Sequence, residues 1–268
     1  MPKKPPFLYG RGRCIFCQEY GVSQEHVFGL WLREIFPRDE RTTHTRGVVE
    51  WAEIATPDQP SVFTKTGQGH SGSKKVRVVC RRCNETWLSN DVEEAAKPIL
   101  LPLIAGKSGT LTLPMQRILA LWAAKTAMTS AHINRKAVFL QHEYSWLMKY
   151  QTPPPGWFIS ASPYSGEEWR ELGVFQHSGK LEVPTVNHSH PAENNLVLTF
   201  IGMGHLLLTI QSSTWTRLFP LIGDRIKGAP RIWPPSRQSF DWPALYVFSD
   251  VETKYLTTHL ARILNQRV

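Results

Sequence analysis

Cys14-Ile15-Phe16-Cys17 and Cys80-Arg81-Arg82-Cys83 contain all four cysteines of this 268-residue chain. Their shared Cys-x-x-Cys spacing decides how the N-terminal third must fold. A tight knuckle of this kind presents two thiolates from one turn, and two knuckles complete the tetrahedral sulfur set that Zn2+ takes in closed structural sites. With no cysteine left over, one four-cysteine zinc site is expected ahead of two unrelated thiol pairs or a redox motif. Such a site ties together the ends of the 14–83 segment and adds folding energy to a module with little core of its own.

Hydrophobic residues make up 41% of the chain and charged residues 20%, the balance of a globular protein able to bury a core. No stretch approaches the roughly 18 apolar residues that a membrane span needs. Met1-Pro2-Lys3-Lys4-Pro5-Pro6 has no apolar run behind its basic residues, so no secretory signal is expected. The expected setting is cytoplasmic, without a membrane partner, where paired thiols bind metal more often than they oxidise. Net charge is +9. Residues 1–85 hold 14 Lys+Arg against 9 Asp+Glu, a net +5, and the remainder 17 against 13, a net +4. The excess is denser around the cysteines, which suits a polyanionic partner and equally serves solubility.

Residues 1–13, rich in proline and basic residues, read as extended. Ser23–Val27 reads as a strand and Leu30–Phe36 as a two-turn helix stopped by Pro37. Residues 47–54 have a β-like pattern that closes at Pro57-Asp58-Gln59-Pro60. Ser61–Lys65 and Lys75–Val79 read as two arms of a hairpin turning at Gly67, Gly69 and Gly72. A helix is predicted over 84–96, ended near Pro98, and a second from Pro114 to about Ile133, with proline at its first position. A third is predicted over 136–149. After the break at Pro153-Pro154-Pro155-Gly156 the pattern turns to β over 157–161, 173–176, 196–202 and 205–211, and the chain closes in an amphipathic helix over 251–265.

Beside the knuckles lie Glu25-His26 and Asn84. A neutral histidine, with an ordinary pKa of about 6.5, suits activation of water. Carboxylate and amide oxygens suit a hard divalent cation that stabilises charge on a phosphate. Together these residues suggest a metal-dependent phosphodiesterase site on a zinc-stapled scaffold.

The stretches Cys14–Gln18, Ser23–Leu32 and Val76–Ser89 resemble the HNH, or ββα-metal, endonuclease family, in the subgroup with a CxxC…EHV…CxxCN arrangement and a long C-terminal extension. The resemblance covers about residues 14–97. It implies an α+β fold: a ββα-metal module with a four-cysteine zinc site over 1–105, then a helical and antiparallel-β accessory domain over 106–268. It implies cleavage of DNA, with His26 as general base and Glu25 and Asn84 holding a single Mg2+ or Mn2+, while Cys14, Cys17, Cys80 and Cys83 hold structural Zn2+. A role in phage defence or a mobile element fits the same family. DNA is preferred to RNA on the resemblance alone. The family's central asparagine has no counterpart between residues 27 and 83, where His70 and Gln68 are the candidate substitutes.

Other readings stay open on the sequence. The chain also fits a zinc-dependent nucleic-acid-binding protein with a degenerate nuclease site, or an adaptor whose zinc organises a protein-binding surface. Asn84 is equally a helix cap. Arg81, Arg82, Lys74 and Lys75 are candidate phosphate contacts or merely exposed basic residues. Glu93 and Glu94 read as a solvated helix face, and Trp87 and Leu88 as core. Gly67-x-Gly69-x-x-Gly72 lacks the strand-to-helix setting of a phosphate loop. His177, His188, His190 and His205 read as scattered surface or core residues. The helix from 114 reads as core, with Lys125 of undecided orientation. For the C-terminal domain, substrate selection, docking of a protein partner and gating are all open, as is the oligomeric state.

Overall fold

The two knuckles set the first layer of the fold. The computed structural model describes residues 12–37, 43–49, 62–68, 74–134, 139–179, 196–213 and 229–264; segments 43–49 and 62–68, and the last helix beyond residue 257, are described by backbone alone. The expected glycine turn at 69–72, the Pro57–Pro60 turn, the extended residues 1–11 and His188 and His190 lie outside the described residues. Strand β1 (Val22–His26) runs antiparallel to β4 (Lys75–Cys80), with Val22 opposite Cys80 and His26 opposite Lys75. The Ile15 amide also donates to the Val78 carbonyl at 2.8 Å, which ties the first knuckle to β4. Between them, β2 (Thr43–Val49) pairs with β3 (Val62–Gln68).

This pairing corrects the expected hairpin between 61–65 and 75–79. Neighbouring strands in sequence favour a hairpin, but convergence of the cysteines requires β1 beside β4, and β3 turns to β2 instead. The helix expected over Leu30–Phe36 is a single turn, α1 (Leu32–Ile35).

From Cys80 the chain enters one long helix in three stretches: α2 (Arg81–Cys83), a π-helical stretch (Asn84–Glu94) and α3 (Ala95–Ile104). It does not end near Pro98 as the sequence suggested. The switch from π to α winding falls just before Pro98, so this proline lies in the first turn of α3, where a missing N–H is least costly. Pro102 falls in the last turn, and burial of Ile99, Leu100, Leu103 and Ile104 holds the helix through both.

Short β5 (Gly109–Thr112) then leads into α4 (Leu113–Ala131), with Pro114 in its first turn. Every residue from Leu119 to Ala131 is buried, the signature of a central helix rather than an amphipathic surface one. Helix α5 (Gln141–Tyr150) follows, and its buried Glu143 accepts the Trp157 indole N–H at 2.8 Å. An antiparallel sheet of order β10-β6-β9-β8-β7 is built from β6 (Trp157–Pro163), β7 (Gly173–Gly179), β8 (Leu196–Met203), β9 (Leu206–Ser213) and β10 (Arg231–Trp233). Two strands of it, β8 and β9, are buried throughout, which explains their nearly unbroken apolar runs. Val197 and Ile201 enter the main core, whereas Leu196, Leu198 and Phe200 enter a second cluster with Tyr164 and Phe248. Three strands had no clear sequence signal: β5, β10, and β11 (Ser239–Trp242), which pairs with β5. Helix α6 (Asp250–Leu264) ends the described chain.

The result is an α+β protein with antiparallel sheets. One cluster of buried residues includes Phe16, Leu88, Leu100, Trp122, Leu147, Ile210 and Trp242, so the main core runs straight across residue 105. Helix α3 packs on α4, which packs in turn on the five-stranded sheet, where Gln176 Nε2 donates to the Ala127 carbonyl at 3.1 Å. None of the described helices is long and apolar enough to cross a membrane. A fragment of residues 1–105 would expose the α4-facing side of α3. It is expected to lack a cooperative urea transition even when loaded with zinc, whereas a sharp two-state transition would show an independent module.

Candidate functional site

The four cysteine sulfurs lie within 4.8 Å of one another, and Cys17 Sγ and Cys80 Sγ are 3.5 Å apart. Sulfurs on a tetrahedral zinc at about 2.3 Å are separated by about 3.8 Å, so the cluster has the size that zinc needs. Each knuckle is shaped by local bonds. Gln18 takes a left-handed backbone (φ 62°), its N–H donates to the Cys14 carbonyl at 2.9 Å, and its side-chain amide donates there at 2.8 Å. In the second knuckle the Cys83 N–H points at Cys80 Sγ, 3.4 Å away. Burial pushes the Cys17 thiol up to about 11 and the Cys83 thiol higher still. Burial also acts to raise Cys14, but the backbone groups of Cys17, Cys80 and Phe16 outweigh it and hold that thiol below its ordinary value. Without a cation the cluster does not sustain four thiolates. The residues are positioned to bind a metal ion, and they are the only group of three or more His, Cys, Asp or Glu side chains among the described residues so placed.

A second cluster of charged side chains lies along β1. Between the pairs Ser23–Val79 and Glu25–Val76 the ladder slips, a bulge of the kind that re-aims side chains. Glu25 turns inward and is 5% exposed. Its Oε1 lies 3.6 Å from Nζ of Lys125, a residue of α4 with no exposed surface. The same ammonium donates to Glu93 Oε1 at 2.5 Å. Glu93 Oε2 accepts the indole N–H groups of Trp31 at 3.0 Å and Trp122 at 3.1 Å. Gly29 passes so close that a Cβ there would collide with the Glu93 carboxylate and the Trp31 ring. Burial acts to lower the Lys125 pKa, but Glu93 and Glu25 outweigh it and keep the amine charged. Burial raises the Glu25 pKa, opposed by Lys125 and reinforced by Glu93.

Glu93 is therefore not on the solvated helix face that the sequence suggested, although Glu94 is exposed. The π winding shifts which residues share a face relative to the 3.6-residue period and turns Glu93 toward α4. Lys125 carried its own signal: the one charge in the run Ile118–Ala131 of this helix needs a buried counter-charge.

His26 follows Glu25, half-buried, and its buried Nε2 has no hydrogen-bond partner among the described residues. Burial first, then the positive charges of Lys75, Arg33 and Lys125, lower its pKa to about 4 against the pull of Glu93. The imidazole is thus neutral at pH 7. Asn84, the first residue of the π stretch, donates from Nδ2 to the Gln24 carbonyl at 3.2 Å. That leaves its carbonyl oxygen as the end able to coordinate. The helix start and the Gln24-Glu25-His26 stretch are thereby joined, but Glu25 and Asn84 share no hydrogen bond.

The basic candidates are on the surface. Arg81 pairs with Glu85 at 2.6 Å and Arg82 with Glu19 at 3.0 Å, all four side chains more than half exposed. Lys75 is exposed and lies directly across the ladder from His26. Lys74 is half-buried, and its carbonyl accepts the Val27 N–H. Of the remaining histidines His177 is buried, and His205 donates its backbone N–H to the Ile104 carbonyl. Gln68 is described by backbone alone, and His70 lies outside the described residues.

Comparison with protein-family models, with curated proteins and with solved structures gave no match.

Because burial raises the Cys17 and Cys83 thiols and keeps them protonated without metal, zinc binding releases protons and its affinity falls as pH falls. Purified protein is expected to carry one zinc per chain and to release it on acidification from pH 7.5 to 5, with loss of tertiary near-UV signal. Zinc content near zero in a folded, reduced protein would contradict the assignment.

Proposed function

We propose that the chain is a metal-dependent endonuclease of the HNH, or ββα-metal, type that hydrolyses phosphodiester bonds in DNA, with structural zinc at Cys14, Cys17, Cys80 and Cys83. The observation that carries this reading is His26: a neutral imidazole whose buried Nε2 has no partner among the described residues, on the first of two antiparallel strands, with Asn84 opening the π-helical stretch that follows the second. A neutral imidazole accepts a proton from water, and in this reading Nε2 is the atom that does so.

The oxygens of Glu25 and Asn84 are hard donors that suit Mg2+ or Mn2+. Glu25 uses Oε1 for Lys125, and among the described residues its Oε2 and the Asn84 carbonyl oxygen have no hydrogen-bond partner. A divalent ion held there would stabilise charge on the phosphate and on the departing oxygen. Lys75 and Arg33, whose charges bear on His26, favour a phosphate beside it. Exposed ion pairs such as Arg81–Glu85 and Arg82–Glu19 contribute at most about 1 kcal/mol, so both guanidinium groups can turn to a nucleic-acid backbone at little cost.

A second reading rests on the burial of Glu25 against Lys125. If the carboxylate stays committed to that ammonium, the chain is a zinc-stabilised nucleic-acid-binding protein without cleavage.

Nicking of supercoiled plasmid, with a single-stranded RNA arm, by zinc-loaded wild type and His26→Ala separates the two. The nuclease reading expects cleavage with Mg2+ or Mn2+, none with EDTA, and a fall of about 10²-fold or more in the variant. Salt-sensitive binding without cleavage favours the second reading. Because the pKa of His26 lies near 4 rather than 6.5, kcat/KM per zinc-loaded, folded chain should stay level between pH 7.5 and 6. An acid limb centred near 6.5 would contradict the base assigned.

A further inference from the structure

Lys125 stands outside the segment that resembles a nuclease, on the central helix of the other half of the chain, yet its ammonium ends beside Glu25. We propose that Lys125 is a positioning residue of the nuclease site: clamped by Glu93, it fixes the Glu25 carboxylate beside His26 and makes α4 part of the catalytic apparatus. This inference rests on the nuclease reading above.

The geometry orders the roles. Glu93 is nearly filled, because Oε1 takes the ammonium and Oε2 takes two indole N–H groups, three donors on about four lone-pair directions. The direction left on Oε1 lies beside the ammonium, which repels a second cation, and the work of Glu93 is to hold Lys125. Glu25 is the looser member at 3.6 Å, and among the described residues its one ion-pair partner is Lys125, on Oε1. That is the arrangement of a ligand steadied from behind by a fixed charge, a support whose loss lowers metal affinity or activity by about 10- to 100-fold. An ion cluster whose only task is to hold the core together is readily replaced by apolar groups of similar volume. Here the cluster lies directly under the strand that carries His26, with Gly29 kept free of a side chain to admit the carboxylate.

The test uses the full, zinc-loaded chain and a charge-matched pair of changes. Lys125→Met alone leaves two carboxylates facing each other in the core and is prone to unfold. Lys125→Met with Glu93→Gln removes one charge of each sign, keeps the local net charge, and is expected to fold. Mn2+ affinity is read by EPR of free Mn2+, folding by urea midpoint, and nicking by kcat and KM separately. The expected result is a folded double variant with Mn2+ affinity about 10-fold or more weaker and kcat reduced to match, while KM for DNA stays within about threefold. Trp122→Phe, which removes one donor to Glu93, should weaken Mn2+ binding in the same direction by a smaller factor.

Mn2+ affinity within about threefold of wild type in both variants overturns the assignment and leaves Lys125 a packing charge. A wild type that binds Mn2+ in a Lys125-dependent way but never nicks DNA overturns the nuclease reading alone. A wild type without Mn2+ binding overturns both.

Discussion

The ammonium of Lys125, fully buried, is the constraint on which the arrangement of the chain turns. A charge in the interior costs several kcal/mol unless counter-charges and hydrogen-bond acceptors reach it. Here they come from far apart in sequence: Glu93 from the π-helical stretch and Glu25 from β1. Glu93 balances Lys125 where the long helix docks on α4, and Glu25 brings β1 to the same ammonium, so one buried charge couples all three elements. Buried ion pairs of this kind add little net stability compared with apolar packing. Their effect is to penalise every other docking of α4, and the two indole donors to Glu93 sharpen that penalty.

The sulfur cluster fixes the same strand from its other end. It joins the residue before β1's partner helix to the first knuckle, and Val22 lies opposite Cys80 as a consequence. Between a zinc-sized cluster at one end and the Lys125 pair at the other, β1 has no freedom to slide. His26 sits at the free end of that strand, opposite Lys75, where burial and positive neighbours keep it neutral. The scaffold thus supplies a rigid proton acceptor in cationic surroundings, which is the physical content behind the proposed chemistry on an anionic backbone.

Features whose cause is local were legible in the sequence. The knuckles follow from four cysteines at one spacing. Helix α4 follows from a long apolar run behind a proline, and the strands at 157–163 and 196–213 from β-rich runs bounded by turns. Features set at long range were not. The partner of β4 is β1 rather than β3 because the cysteines, not the intervening glycines, choose it. The helix passes Pro98 because a change of winding places that proline in a first turn. Glu93 looked solvent-facing on a 3.6-residue wheel, and the i→i+5 stretch turned it inward. Lys125 announced that it needed a partner but not which one. Strands β5 and β11 meet across most of the chain, and neither carries a pattern that names the other.

The most direct measurement is anomalous diffraction from crystals of the zinc-loaded protein soaked in Mn2+, with data at both metal edges. The account predicts zinc among the four sulfurs and a separate manganese between the Glu25 carboxylate and the Asn84 amide oxygen, beside His26, with Lys125 still bound to Glu93. Manganese found only at the cysteines, or nowhere, with Glu25 unmoved against Lys125, would contradict it.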